Sequence, residues 1–332
     1  MERRDWSRPQ RRESGTALTT HSRLHVLLST IGSAGDVNPF VAIGRELKRR
    51  GHQVTLVTSA YFEPLARSAG LDFVGLGNPE DYKKTVDDPD LWDPKVGFRV
   101  FARRVVIPAV RPLYEILSEN LSSNAILVAQ GQTFGAHLAH EKYGVPFVTI
   151  HLQPAAFRSI HDAPLMPGWI PPSLRSALYA VLDYLVLDRE LASDVNAFRS
   201  QLGLPKVHRI FASWVHSPLK SIGLFPNWFA PPQPDWPTQT ELAGFVFLDE
   251  GPRPLDPALA AFDQPDNAAR VQRLGVGLSI RPDPYIPRTV VGVLHTLLNS
   301  HDVLTKCRFY ADAIHPDTGL AAACNAIEAV GR

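Results

Sequence analysis

The chain has 332 residues, a length that suits two domains of roughly 100–200 residues each. Its 45% hydrophobic and 20% charged content excludes an intrinsically disordered protein, and a formal net charge of +1 gives no bulk attraction to nucleic acid. Two cysteines, Cys307 and Cys324, are too few for a disulfide framework or a zinc site and fit a reducing, cytoplasmic setting.

The first twenty residues carry five arginines and no apolar core, so residues 1–22 read as a disordered tail rather than a signal peptide. A basic nucleic-acid arm is the alternative on charge pattern alone. Order is expected from Leu24. Leu24 to Leu28 is an apolar run of strand length, broken by Gly32-Ser33-Ala34-Gly35. Asn38 and Pro39 then open a helix, with Phe40, Ile43, Gly44 and Leu47 at helical spacing and Lys48-Arg49-Arg50 before Gly51 at its end. Val54 to Val57 reads as a second strand, Tyr61 to Ala69 as a helix and Leu71 to Leu76 as a third strand. This βαβαβ order implies a parallel sheet covered by helices.

Val96 to Leu121 reads as a long, mainly helical stretch in which apolar residues alternate with Arg99, Arg103, Arg104 and Arg111. Such a stretch packs on the sheet or lies as an amphipathic helix at a membrane surface. Ala125 to Ala129, a helix over Phe134 to Tyr143, and Val145 to Ile150 continue the alternation. A second apolar helix, Leu174 to Leu191, follows a proline cluster, and Lys220 to Phe225 supplies one more strand before the proline-rich run Pro226 to Pro232. No run of about 18 apolar residues exists to span a bilayer.

Beyond Asp249 the pattern changes. Residues 265–274 suit a helix, Val276 to Ile280 a short strand, and three helical stretches follow. Each βαβ unit takes roughly 30 residues or more, so one strand cannot make a second doubly wound domain.

Ligands of open α/β sheets bind at the carboxyl ends of the strands, where Gly32-Ser33-Ala34-Gly35-Asp36 sits. A dinucleotide site would have G-x-G-x-x-G and an acidic residue ending the second strand; this chain has G-x-x-G-D and Thr58-Ser59. A nicotinamide oxidoreductase is therefore disfavoured. Asp36 has two readings on spacing alone: a general base for a hydroxyl nucleophile, or an acidic partner of the helix N-terminus that follows it.

The strings T-I-G-S-A-G-D-V-N-P-F (30–40) and R-E-L-K-R-R-G-H-Q-V-T-L-V-T (45–58) resemble family 1 glycosyltransferases of the GT-B fold, the UDP-glycosyltransferase and sterol-glucosyltransferase type. D-P-D-L-W-D-P-K (88–95), A-H-E-K-Y-G-V-P (139–146), R-I-F-A-S-W-V-H-S-P (209–218) and L-F-P-N-W-F-A-P-P-Q-P-D-W-P (224–237) narrow the resemblance to relatives of the rhamnosyltransferase of rhamnolipid synthesis. The resemblance implies an α/β protein of GT-B type, with an acceptor-side Rossmann-like domain over 23–250 and the remnant of a donor domain over 251–332. It implies inverting, metal-independent transfer of a hexosyl group from a UDP- or dTDP-sugar to a hydrophobic hydroxyl acceptor, without a cofactor.

Under that resemblance Asp36 becomes the general base, with Gly32, Ser33 and Gly35 forming the acceptor loop. Asp263 and Gln264 match an acidic-Gln pair that contacts donor-sugar hydroxyls, although the same pair reads equally as a helix start. The diphosphate-binding loop of the donor domain has no counterpart here, and roughly a hundred residues are missing between the matched segments. An acceptor- or partner-binding remnant is therefore the alternative to an active enzyme. His151, just past its strand, either faces the acceptor cleft or packs. His25, His137 and His140 read as core or surface histidines, and Trp228, Phe229 and Trp236 as packing residues.

Overall fold

The computed structural model describes residues 23–93, 96–248, 264–280 and 286–331. The tail expected over 1–22 lies outside them. The first half runs β1 (His25–Ser29), α1 (Ala34–Arg49), β2 (Gln53–Ser59), α2 (Glu63–Ser68), β3 (Asp72–Leu76), α3 (Pro79–Val86), α4 (Gly97–Phe101), α5 (Ile107–Glu119), β4 (Ala125–Gln130), α6 (Phe134–Tyr143) and β5 (Phe147–His151). It continues through α7 (Pro172–Leu182), α8 (Asp188–Gln201), β6 (Lys220–Gly223), β7 (Thr240–Leu242), α9 (Gln264–Leu274), α10 (Pro287–Leu298), α11 (His301–Asp312) and α12 (Pro316–Val330).

Seven parallel strands form one sheet in the order β3-β2-β1-β4-β5-β6-β7. β1, β4 and β5 at the centre are buried along their whole length, which is why they read as mainly apolar runs, whereas the edge strands β3 and β7 are half-exposed. Val26, Leu28, Val54, Leu56, Ile126, Val128, Val148 and Ile150 point to the face covered by α1 and α12. Leu27, Leu127, Ala129 and Phe147 point to the face covered by α5, α6 and α8. The period of two assigns alternate residues of each strand to the two cores.

Several expectations change. α1 begins at Ala34, not at Asn38, so Pro39 lies inside the helix. The start is set by Ser33 and Asp36, which form a reciprocal capping box ahead of the proline. The stretch expected as Val276 to Ile280 strand is irregular, because no strand of the described residues lies beside it to pair. The three-residue β7 has no sequence signal; Thr240-Glu241-Leu242 lacks an apolar run and is recruited only by β6.

The long apolar helix packs on the sheet. Val106, Val110, Leu113 and Leu117 are buried, and it carries a π-helical turn, Ala102–Val106, between α4 and α5. A second π turn, Asp183–Leu187, joins α7 to α8, whose far end reaches Gln201 rather than Leu191. No helix of the described residues is long and apolar enough to cross a membrane.

The last helix returns to the sheet. Ala323, Cys324, Ala326 and Ile327 of α12 are buried in the same core as Phe40, Ile43 and Leu47 of α1. Glu328 accepts hydrogen bonds from Arg50 Nη1 at 3.2 Å and His52 Nε2 at 3.0 Å. His52 Nδ1 accepts from the Leu24 backbone N–H, so its proton resides on Nε2 and faces Glu328. Burial pushes the Cys324 thiol up to about 12, which keeps it protonated and inert.

Candidate active site

Strand order reverses between β1 and β4, and the carboxyl ends of β1, β4 and β5 open there into a cavity of about 610 Å³. Gly32 and Ser33 line it from the loop after β1, Asp36 from the first turn of α1, Gln130 and Gly131 from the end of β4, and His151 from the end of β5. Leu76, Tyr82, Val86, Phe98, Phe101, Val105, Pro108, Ala109 and Pro112 give it a largely apolar wall. Arg104 and Val105 sit on the first π turn and Leu187 on the second, so both irregular turns border the cavity.

Asp36 fulfils the cap role: its Oδ2 accepts from Ser33 N at 2.8 Å and Ser33 Oγ at 3.1 Å. Its Oδ1 accepts from Gln130 Nε2 at 2.8 Å, and the half-buried side chain borders the cavity. Gly32 is required here. With φ at +126°, it lies where L side chains are strained, and a Cβ on it would collide with Asp36 Oδ2. Gly35, in the first turn of α1, is exposed and does not line the cavity.

His151 is the last residue of β5 rather than a residue beyond it, and it is buried. Its Nε2 shares a hydrogen bond of 3.0 Å with His216 Nδ1, and its ring meets Phe157 edge-on. Gly131 lets it fit, since a Cβ there would stand 2.7 Å from His151 Cε1. Burial, reinforced by His216, holds His151 well below the usual imidazole range. Burial and then the charge of Arg158 bring His216 down to about 4. Both rings are neutral at pH 7.

The arginines bordering the cavity are already paired. Arg104 binds Asp88, and Arg158 binds the buried Asp183. Among the described residues, the cavity therefore has no unpaired guanidinium with which to attract an anion.

The remaining candidates lie elsewhere. Asp263 falls outside the described residues. Gln264 opens α9, is exposed, and does not reach the cavity. α9 is instead fastened to the loop after β5: Arg270 pairs with Asp162 and Asp266, each at 2.8 Å, and Arg273 with Asp162 at 2.9 Å. His137 is a core histidine that shares a hydrogen bond with the Gly131 carbonyl, and His25 bridges Ser122 and Thr55. Trp236 packs in a cluster with Phe157, Phe225 and Ala230, and Trp228 against Tyr310 of α11. Two contributors escape a sequence reading. Gln130 reaches the site, and His216 reaches His151, only through the tertiary fold, and no local pattern marks either.

Known proteins agree with this architecture. The chain is 30% identical over 255 residues to the O-mycaminosyltylonolide 6-deoxyallosyltransferase of Streptomyces fradiae, covering 68% of this chain and 55% of that protein. It is 26% identical over 243 residues to the sterol 3-beta-glucosyltransferase of Debaryomyces hansenii, covering 71% of this chain and 15% of that one. The chain thus spans about half, or far less, of the curated relatives it matches. Among solved structures, the calicheamicin glycosyltransferase superposes with a TM-score of 0.67 at 17% identity, over 93% of this chain and 98% of that chain. The fold is α/β of the GT-B type, with the described C-terminal residues mainly helical, and residues 26–161 match the glycosyltransferase family 28 N-terminal domain.

Proposed function

We infer that this protein is a glycosyltransferase that moves a hexosyl group from a UDP- or dTDP-sugar to a hydroxyl of a neutral, hydrophobic acceptor. The observation that carries this reading is a carboxylate, Asp36, on the edge of an apolar cavity at the strand switch point. An acceptor buried against Phe98, Phe101 and Val105 brings its hydroxyl to Asp36. The carboxylate takes the proton as the oxygen attacks the anomeric carbon, and the nucleoside diphosphate leaves from the opposite face. Attack from that side inverts the anomeric centre. His151 offers a neutral polar contact in the same cavity.

A neutral acceptor follows from the paired state of Arg104 and Arg158. Apolar lining favours a fused-ring or lipidic alcohol, in keeping with the sterol and macrolide relatives and the rhamnosyltransferase-like strings. Residues 23–250 serve as the acceptor-side domain and 251–332 as the donor-side remnant. Asp263 and Gln264 belong to that remnant as contacts for donor hydroxyls, and Gly35 serves the loop through its backbone.

A second reading rests on one observation: the described residues beyond β7 hold helices and no strand. A chain without a diphosphate cradle would bind the acceptor and transfer nothing. Transfer from labelled UDP-glucose and a dTDP-sugar to a sterol and a macrolide aglycone separates the two. Product formation by the wild type, reduced at least about a hundredfold in Asp36→Asn, supports the enzyme. No product, together with no thermal stabilisation by millimolar UDP or dTDP, leaves the acceptor-binding reading.

A further inference from the structure

Gln130 is a buried amide with both polar ends engaged. Its Oε1 accepts from the Ile31 backbone N–H at 3.1 Å and from Thr30 Oγ1 at 3.0 Å. A backbone N–H can only donate, so the oxygen end of the amide is fixed toward Ile31 and the NH₂ end must face Asp36. There Nε2 donates to Oδ1 at 2.8 Å.

The two oxygens of Asp36 are thus held by different parts of the fold. Ser33 holds Oδ2 from within the helix cap, and Gln130 holds Oδ1 from the neighbouring strand, 94 residues away in sequence. A cap needs only the first. The second bond ties the carboxylate plane to the sheet and fixes its rotamer at the cavity edge.

Resting on the reading of Asp36 as base, we propose that Gln130 is its positioning residue, orienting the carboxylate and favouring its ionised form through the Nε2–Oδ1 hydrogen bond. A neutral amide is suited to this task. It donates to the anion, adds no charge and cannot titrate, whereas a carboxylate at the same place would compete for a proton. The other charged or titratable groups bordering the cavity, among the described residues, are Asp81, Tyr82, Arg104, His151 and Arg158. Arg104 and Arg158 are paired with their own carboxylates, and Asp81 stands 3.9 Å from Lys84.

The test compares Gln130→Glu and Gln130→Met with the wild type in the full chain. Two readouts are used: the pH profile of kcat/KM, and a ¹³C NMR titration of the Asp36 carboxyl, assigned by its loss in Asp36→Asn. Glu at 130 must share a proton with Asp36, so the acid limb and the carboxyl titration should both move up by at least about one pH unit. Met removes the donor at similar length. It should lower kcat about tenfold or more, leave the acceptor KM nearly unchanged, and also raise the titration of Asp36.

A residue that merely packs would change thermal stability without moving either titration. Unchanged Asp36 titration in both variants overturns the proposal, and Gln130→Met decides alone should Gln130→Glu not fold. If Asp36→Asn keeps full transfer, the base reading fails while NMR still judges the hydrogen bond. If Asp36→Asn is inactive and both Gln130 variants titrate like wild type, only the positioning role of Gln130 fails.

Discussion

His151 Nε2, at the cavity wall, and His216 Nδ1 lie 3.0 Å apart, a buried imidazole pair with no carboxylate bonded to either ring among the described residues. Neutral rings satisfy each other by one donating and one accepting, but two imidazolium rings could not. His137, also buried, is brought down to about 3 by desolvation.

This arrangement sets a pH dependence of stability. These histidines have folded-state values below their unfolded value of 6.5, with His216 near 4 and His137 near 3. Above pH 6.5 neither state binds the extra proton, and the contribution is fully present. As pH falls below 6.5 the unfolded chain takes up protons that the folded chain refuses, so stability should drop by up to about 1.4 kcal/mol per unit per histidine. The loss should continue down to the folded values. Urea melts from pH 7.5 to 4.5 check this, and His216→Gln should flatten part of the slope; an equally steep profile in that variant would rule out His216 as a source.

Gly32→Ala should affect the site as well as the backbone. The residue has φ +126°, and the new methyl would strike Asp36 Oδ2. The strained conformation should cost about 1–3 kcal/mol. A displaced carboxylate should reduce transfer about a hundredfold, measured at a temperature where both proteins stay folded. Wild-type turnover in Gly32→Ala would mean that the position of Asp36 is not critical.

Ile327→Ala tests whether α12 is integral to the first sheet. Ile327 is fully buried in the core shared with α1, so its truncation should destabilise by about 2–5 kcal/mol. Chemical denaturation reads this directly. A change under about 0.5 kcal/mol would mark α12 as loosely attached.

Arg199→Met tests an ion pair between a buried guanidinium and a partly exposed carboxylate. Arg199 is 1% exposed, donates to both Glu141 oxygens at 2.8 and 2.7 Å, and also reaches the Pro205 carbonyl. Among the described residues, its removal leaves the Glu141 carboxylate with only the Trp214 Nε1–H. Because solvent reaches Glu141, the expected loss is about 1–3 kcal/mol. The double variant Arg199→Met/Glu141→Gln should recover part of it, and no recovery would mean the cost comes from packing alone.

Much of this molecule can be read from one dimension. Strand runs such as Val26–Leu28 and Ile126–Ala129 are apolar because both faces of a parallel sheet are covered, and the end of the helix Phe134–Tyr143 follows from Gly144, which closes it in left-handed backbone. The loop with Gly32 and Asp36 is visible as a break between a strand and a helix, and the sequence also exposes Asp36 as the carboxylate at that break. Those signals are local, because propensity and periodicity act over a few residues.

What local pattern could not supply was pairing across the chain. β7 exists because β6 offers it an edge, and Val276–Ile280 stays irregular because no strand of the described residues stands beside it. Gln130 ends an ordinary-looking strand, and only the adjacency of β4 to β1 sets its amide against Asp36. His216 joins His151 by the same route, across 65 residues. The sequence by itself determined the alternation of elements and the carboxylate at the switch point; tertiary structure alone decided which side chains hold that carboxylate, because hydrogen bonds between distant residues form only once strand order has brought them within about 3 Å.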